Sequence, residues 1–122
     1  MPSRADVSSA LRSELESRGH SVGGDTVGLR GELYVRGDGD RAAALFEFKS
    51  TAEEACVTMY QGSWLPTLPP RFAVLPVAER DEPALDMLTQ AGFSVLLYEW
   101  SGEAVTFLDV EAALAKIGRH DP

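Results

Sequence analysis

The sequence predicts an α/β fold, with a mixed central sheet that carries helices on both faces. Segments with the helical repeat of apolar residues alternate with short apolar runs, which are typical of strands buried on both sides. Helical segments separate the later runs, so we expect parallel neighbours joined by crossovers there. The runs 29–36 and 41–49 are separated only by "GDGD", which predicts an antiparallel hairpin. The predicted order of elements is α-β-β-β-α-β-α-β-β-α.

The first predicted helix covers residues 3–19. Its apolar stripe recurs at helical spacing and consists of Val7, Leu11 and Leu15. Ser3 and Asp6 have the spacing of a capping box, although Asp6 could also cap alone, and Gly19 follows the last turn. Residues 20–28 form a weak strand interrupted by glycines, and the hairpin follows it.

A second helix is predicted over residues 50–65, where Ser50 and Glu53 form a capping-box pair. A rigid "PTLPP" linker separates this helix from the run "RFAVLPV", residues 71–77, which is apolar enough for a strand buried on both faces.

The C-terminal part begins with a helix over residues 79–92. Pro83 lies in its first turn and Gly92 follows its end, as is usual for these two residue types. Strands over 93–100 and 104–110 then precede a last short helix. Each of these elements has the length of an ordinary globular helix or strand.

Composition limits the classes of protein to consider. A chain of 122 residues corresponds to one domain, 1–122, and no run approaches the roughly 18 apolar residues of a membrane span. We expect no signal peptide, and the single Cys56 excludes an internal disulfide and a cysteine-based zinc cluster, so a cytoplasmic location is expected. The net charge of -8 argues against coating nucleic acid by bulk electrostatics, but allows one local cationic site.

The hairpin is predicted to gather charged residues on one face. If Asp38 and Gly39 form a two-residue tip, Glu32 lies opposite Leu45 and Arg30 lies opposite Glu47. Cross-strand partners and residues two apart share a face. The predicted charged face therefore contains Glu32, Glu47 and Lys49, and the opposite, apolar face contains Leu33, Val35, Phe46 and Phe48.

Two hypotheses explain this charged face. Two neighbouring carboxylates repel unless a cation lies between them, and Mg²⁺ is a hard cation that takes carboxylate and backbone oxygens. An adjacent ammonium can orient a metal-bound water, so the set is suited to phosphodiester hydrolysis. Alternatively, Arg30 neutralises Glu47 in a structural ion pair. The chain has nine Arg and only Lys49 and Lys116, so a lysine in a strand favours a role that arginine cannot fill.

The motif "FEFK", residues 46–49, resembles the (D/E)xK motif of the PD-(D/E)xK phosphodiesterase superfamily, which includes the restriction-endonuclease-like fold. The resemblance implies an αβββαβαβ core over about residues 4–100, with 101–122 as a C-terminal strand and helix extension. It also implies Mg²⁺ or Mn²⁺ as cofactor and nucleic acid as partner, DNA in preference to RNA.

The resemblance also assigns roles to particular residues. The implied catalytic residues are Glu32, Glu47 and Lys49, and the implied metal ligands are Glu32, Glu47 and the backbone carbonyl of Phe48, with Asp25 as an alternative ligand. Supporting residues would be Glu14 and Gln61, and nucleic-acid contacts would be Arg30 and Arg36. Arg12, Arg18 and Arg71 are further available phosphate contacts.

One position departs from the family pattern, because the opening acid of the family is most often Asp. Here either Glu32 replaces it, or Asp25 reaches in from the preceding turn, or the metal site is weakened. The leading hypothesis is a small magnesium-dependent nuclease, whose specificity would need a homodimer, a partner protein or a structured substrate. The alternatives are a catalytically degenerate interaction module of the same fold, and an acidic protein-binding domain.

Overall fold

The computed structural model describes residues 2–24, 33–37, 42–59, 69–102, 104–115 and 117. Its elements in chain order are α1 (Arg4–Ser17), β1 (Val22–Gly24), β2 (Leu33–Arg36), β3 (Ala42–Phe48), α2 (Ala52–Met59), β4 (Arg71–Pro76), a 3-10 turn (Val77–Glu79), α3 (Pro83–Gln90), β5 (Ser94–Ser101), β6 (Ala104–Leu108) and α4 (Val110–Leu114).

The six strands form one mixed sheet in which neighbours in the chain are also neighbours in space. β1, β2 and β3 pair antiparallel, β3, β4 and β5 pair parallel, and β6 pairs antiparallel with β5. The parallel pairs are those with a helix between them, because a crossover is needed to bring the second strand into the same direction. The predicted α/β class and mixed sheet are confirmed.

Helices cover both faces of the sheet. α1 and α4 contribute to one core cluster, together with Phe46, Phe48 and Val74 of the sheet. α2 and α3 contribute to a second cluster with Ala73 and Leu75. Successive residues of a strand point to opposite faces, so β4 supplies both clusters and is buried along its whole length as predicted, whereas the clustered residues of β3 all belong to the α1 cluster.

The helix starts follow local hydrogen bonds. Ser3 Oγ accepts from the Asp6 N–H at 3.1 Å and the Ser3 N–H donates to Asp6 Oδ2 at 3.0 Å, which confirms the predicted capping box. These hydrogen bonds hold the pKa of Asp6 below its ordinary value. The predicted capping box of α2 places the N-cap at Ser50, but the helix begins at Ala52, one residue later than that box requires. Thr51 Oγ1 accepts from the Glu54 N–H at 3.0 Å in its place. The predicted cap at Ser50 is therefore wrong.

The predicted register of the β2–β3 hairpin is wrong by two positions. Leu45 lies opposite Tyr34 rather than Glu32, and Val35 lies opposite Ala44. An irregularity between Val35 and Arg36 then sets Arg36 opposite Ala42, so five residues of the sequence separate the last described pair. The predicted tip at Asp38 and Gly39 lies outside the described residues. The register at Leu33 to Val35 is shifted by two residues, and side chains alternate between the faces of a strand. The same residues therefore share the apolar face as in the prediction.

α3 begins at Pro83, and Gly92, at φ 94°, follows its end as predicted. Among the residues that the structure describes, no helix is long and apolar enough to cross a bilayer.

Candidate functional site

Glu47 is the next-to-last residue of β3 and its side chain is on the α2 and α3 side of the sheet. Its neighbours Phe46 and Phe48 point to the other side and pack in the α1 cluster. Glu47 is only 3% exposed, in a strand whose other inward residues are apolar. A buried carboxylate requires a partner, because burial of an unpaired charge costs several kcal/mol, on the order of the whole stability of a domain.

The partner is Arg71, the first residue of β4, which is also 3% exposed. Arg71 Nε donates to Glu47 Oε2 at 2.7 Å and Nη2 donates to Oε1 at 3.1 Å. In the parallel register Leu45 pairs with Arg71 and Glu47 with Ala73, so these four residues share one face. The two hydrogen bonds form the bidentate geometry that makes arginine–carboxylate pairs strong.

Arg71 has two further contacts that fix its guanidinium group. Nη1 donates to the backbone carbonyl of Met59 at 2.9 Å. Met59 is the last residue of α2, where carbonyls lack a partner within the helix, so Arg71 satisfies one of them. The guanidinium carbon also lies 5.0 Å from the centroid of the Phe93 ring. Arg71 therefore connects β3, β4, the end of α2 and the residue before β5.

Lys49 lies beside this pair. Its Nζ is 3.8 Å from Glu47 Oε1, which is longer than a hydrogen bond, and its side chain is 14% exposed. The backbone N–H of Lys49 donates to the Val74 carbonyl at 3.1 Å and keeps the end of β3 next to β4. The sequence correctly predicts that Glu47 and Lys49 are close. Because Arg71 already balances Glu47, the three side chains together carry one net positive charge.

The described residues do not form a magnesium site around Glu47. Mg²⁺ binds to carboxylate oxygens, and both oxygens of Glu47 already accept hydrogen bonds from Arg71. Across the described part of the chain, no three His, Cys, Asp or Glu side chains are grouped so that they could hold a metal ion. Phe48, whose carbonyl is an implied ligand, ends β3. The implied ligands Glu32 and Asp25, with the supporting Gln61, lie outside the described residues.

Glu14 does not join Glu47. It lies on α1, which packs on the opposite face of the sheet, and its carboxylate Oε1 accepts from Arg18 Nη2 at 3.1 Å. Arg18 Nη1 is also 3.7 Å from a carboxylate oxygen of Glu111. Glu14 is therefore in a partly exposed ion pair near the end of α1. It is not placed to help bind a metal ion at Glu47, which is the role that the sequence suggested.

The arginines proposed as phosphate contacts have different environments. Arg36 is exposed and its guanidinium carbon lies 5.4 Å from the centroid of the Tyr34 ring. Arg12 donates to the Val22 carbonyl at 3.2 Å. Arg71 is buried against Glu47, so its interpretation as an available phosphate contact is wrong. Arg30, predicted opposite Glu47, lies outside the described residues, and the register that placed it there is not the observed one.

Arg71 is predicted from the sequence only as a phosphate contact, and not as the partner of Glu47. One signal was present: "RFAVLPV" opens a fully buried strand with an arginine, and a buried arginine requires an acceptor. Choosing Glu47 as that acceptor requires the knowledge that β3 and β4 are adjacent and parallel.

Comparisons of the chain with protein-family models, with curated protein sequences and with solved structures found no match.

Proposed function

We propose that this protein is a non-cleaving binding domain of restriction-endonuclease-like fold, in which Glu47 is the buried counterion of Arg71. The observation that carries the proposal is the bidentate pair, with contacts of 2.7 and 3.1 Å that use both carboxylate oxygens. The order α1, β1, β2, β3, α2, β4, α3, β5 supports the fold assignment, because it matches the αβββαβαβ order implied by the family resemblance.

The energetics favour the ion pair over a metal ion at Glu47. A metal that took the carboxylate would leave Arg71 charged and buried, and breaking a buried pair in this way costs about 3–5 kcal/mol. Magnesium at about 10 mM, acting at a site with a Kd of about 0.1 mM, would contribute about 2.7 kcal/mol. The metal would therefore not repay the loss of the pair unless further ligands joined it.

The second candidate is a magnesium- or manganese-dependent phosphodiesterase acting on nucleic acid. It is favoured by Lys49 Nζ at 3.8 Å from Glu47 Oε1, at the end of a strand, which is the pair that the family resemblance assigns to catalysis. Glu32 would be the second acid, and it precedes Leu33, which pairs with Phe46. In this case Arg71 would have to release Glu47 before a metal could bind.

One set of assays distinguishes the two candidates. The wild type, Glu47→Gln and Lys49→Ala are incubated with Mg²⁺ or Mn²⁺ and with labelled single- and double-stranded DNA and RNA. Cleavage and binding are scored separately, and thermal unfolding is followed with and without metal. Glu99→Gln is the matched control, because Glu99 is an exposed carboxylate on β5 and the substitution makes the same change in charge.

The proposed binding domain predicts no metal-dependent cleavage by any variant and no metal-dependent rise in the wild-type melting temperature. It also predicts that Glu47→Gln melts below Glu99→Gln, because an amide cannot balance the Arg71 charge. Metal-dependent cleavage that Glu47→Gln and Lys49→Ala lose, and that Glu99→Gln retains, would replace the proposal by the phosphodiesterase.

A further inference from the structure

β6 is the last strand of the sheet, and it lacks the features that usually block further pairing at an edge. Among the described residues β6 pairs only with β5, so its backbone N–H and C=O groups that do not face β5 point away from the sheet. Edge strands are commonly protected by a charge, a proline or a bulge. The sequence of β6, "AVTFL", has no charged residue and no proline, and its pairing with β5 has no register shift. The described part of the chain therefore leaves one side of β6 open to a further strand.

The opposite edge of the sheet is less suited to pairing. β1 has only three residues, and two of them are glycines, which are depleted in strands. In β6, by contrast, the β-branched residues Val105 and Thr106 are followed by Phe107, and residues of these types favour strands. Of the two edge strands that the structure describes, β6 is the better template for another strand.

The side chains at the β6 edge are apolar or neutral on both faces of the sheet. Val105 and Phe107 are half-buried and pack against the α1 cluster. Trp100 pairs with Val105 from β5 and is still 36% exposed. Thr106 is exposed on the other face, where Leu108 is half-buried. A further strand would therefore remove apolar surface from water on both faces, which favours association.

The edge is uncharged although the chain has a net charge of -8. Two copies of such a chain repel on average, so they associate most easily where no charges meet. Glu99 lies opposite Thr106 on β5. In a sheet continued through two β6 strands, three strand spacings of about 4.8 Å would separate the two Glu99 positions by about 14 Å, beyond the Debye length of about 8 Å. Asp109 follows β6, but its φ of 53° turns the chain out of the strand direction. A second copy therefore meets little repulsion along β6.

We propose that a second copy of this chain binds at β6, so that the two β6 strands pair antiparallel across a two-fold axis at Thr106. In this register each Thr106 lies opposite the partner's Thr106, Val105 lies opposite the partner's Phe107, and Ala104 lies opposite the partner's Leu108. Threonine pairs and aromatic–β-branched pairs are among the cross-strand pairs that stabilise sheets, and no like charges face each other. The strand is thus complementary to itself, which is what a two-fold interface requires.

The dimer goes beyond the proposed function and does not depend on it. β4 and β5 separate β6 from β3, which carries Glu47. The two six-stranded sheets would become one continuous sheet, with α1 of both copies on the same face because cross-strand partners point to the same side.

Sedimentation equilibrium of the full chain over a range of concentrations tests the proposal. Thr106→Glu places two like charges opposite each other at the axis, and Thr106→Gln is the matched neutral variant at the same position. Ser21→Glu is the control for added charge, because Ser21 is exposed beside β1 at the other edge of the sheet. Thr106 is exposed, so its substitution leaves the core unchanged, and thermal unfolding of each variant checks that it folds.

We expect the wild type to form a reversible dimer and Thr106→Glu to weaken it about tenfold or more, since like charges then face each other. Thr106→Gln and Ser21→Glu should change the Kd of the dimer by less than about threefold. Thr106→Lys should weaken the dimer less than Thr106→Glu, because Glu99 lies opposite position 106 and partly balances the ammonium. An equimolar mixture of Thr106→Glu and Thr106→Lys should restore dimers, since opposite charges then meet at the axis.

Amide hydrogen exchange gives a second, local readout. Backbone N–H groups of β6 that point to the open edge should exchange more slowly at high protein concentration in the wild type, and this protection should be absent in Thr106→Glu. A wild type that is monomeric at every concentration, equal losses in Thr106→Glu and Ser21→Glu, or a mixture no more dimeric than its two components would overturn the proposal. Species larger than a dimer would also overturn it, because pairing across a two-fold axis is closed.

Discussion

Removal of the Glu47 carboxylate is the perturbation that tests the ion pair most directly. In Glu47→Ala, Arg71 loses hydrogen bonds of 2.7 and 3.1 Å and remains charged at 3% exposure. Leaving one member of a buried pair alone costs about 3–5 kcal/mol, which is a large share of the roughly 5–15 kcal/mol that stabilises a domain. We therefore expect the free energy of unfolding to fall by about that amount.

The reverse substitution should cost less. In Arg71→Met, Glu47 keeps Lys49 Nζ at 3.8 Å as a replacement counterion, and a carboxylate can also take up a proton, which an arginine cannot lose. The carbonyl of Met59 does lose its donor. We expect a loss of roughly 2–4 kcal/mol, smaller than that of Glu47→Ala.

The double variant Glu47→Leu with Arg71→Met removes both charges and fills the space with apolar atoms. Replacing a buried pair by packed apolar residues is often neutral, or stabilising by about 1–4 kcal/mol. The lost hydrogen bond to Met59 offsets part of that gain. The double variant should therefore be within about 2 kcal/mol of the wild type and more stable than either single variant.

Urea unfolding at neutral pH, followed by far-UV circular dichroism, measures these differences in the free energy of unfolding. The comparison requires that all variants have the same m, the slope of the free energy of unfolding against urea concentration. Glu99→Ala is the control, because an exposed strand carboxylate should change stability by less than about 0.5 kcal/mol. A Glu47→Ala variant as stable as Glu99→Ala, or a double variant less stable than Arg71→Met alone, would refute the buried pair.

Three further outcomes are expected. Because Ser3 lowers the pKa of Asp6, the ionised carboxylate stabilises the fold above its ordinary pKa of 3.8, and this stability is lost as the pH falls through the lowered folded pKa. Asp6→Asn should therefore reduce the loss of stability at acid pH, as measured by urea unfolding at a series of pH values. An unchanged loss in Asp6→Asn would contradict a stabilising role for the capping box. A methyl group at Gly23 would meet the Tyr34 ring, so Gly23→Ala should lose about 1–3 kcal/mol and Tyr34→Ala should restore part of it, as measured by thermal unfolding. Burial raises the pKa of the Cys56 thiol, and the negative charge of Glu53 raises it further, while Cys56 Sγ donates to the Ala84 carbonyl at 3.2 Å. A thiol reagent should therefore modify Cys56 slowly in buffer and rapidly in urea. Equal rates in buffer and urea would show that the thiol is accessible in the folded protein.

The sequence predicted what depends on neighbouring residues. The capping box at Ser3 and Asp6, the glycine after α3 and the burial of β4 follow from local spacing, and each is observed. The α/β class and mixed sheet follow from the alternation of helical and strand patterns, because crossovers impose parallel pairing. For the candidate site, the sequence predicted that Glu47 and Lys49 are close, since residues two apart on a strand share a face.

Tertiary structure decided the rest. The observed register differs from the predicted one by one position at Arg36 and Ala42, and the irregularity between Val35 and Arg36 adds the second position at Leu33 to Val35. The partner of Glu47 lies 24 residues away in the chain, on a strand that becomes its neighbour only when β3 and β4 pair. Local patterns carry no information about such a contact, because burial and pairing energies are defined only once the strands are side by side. Sequence alone therefore determined which charges enter the sheet, and packing determined that Arg71 is the cation that balances Glu47.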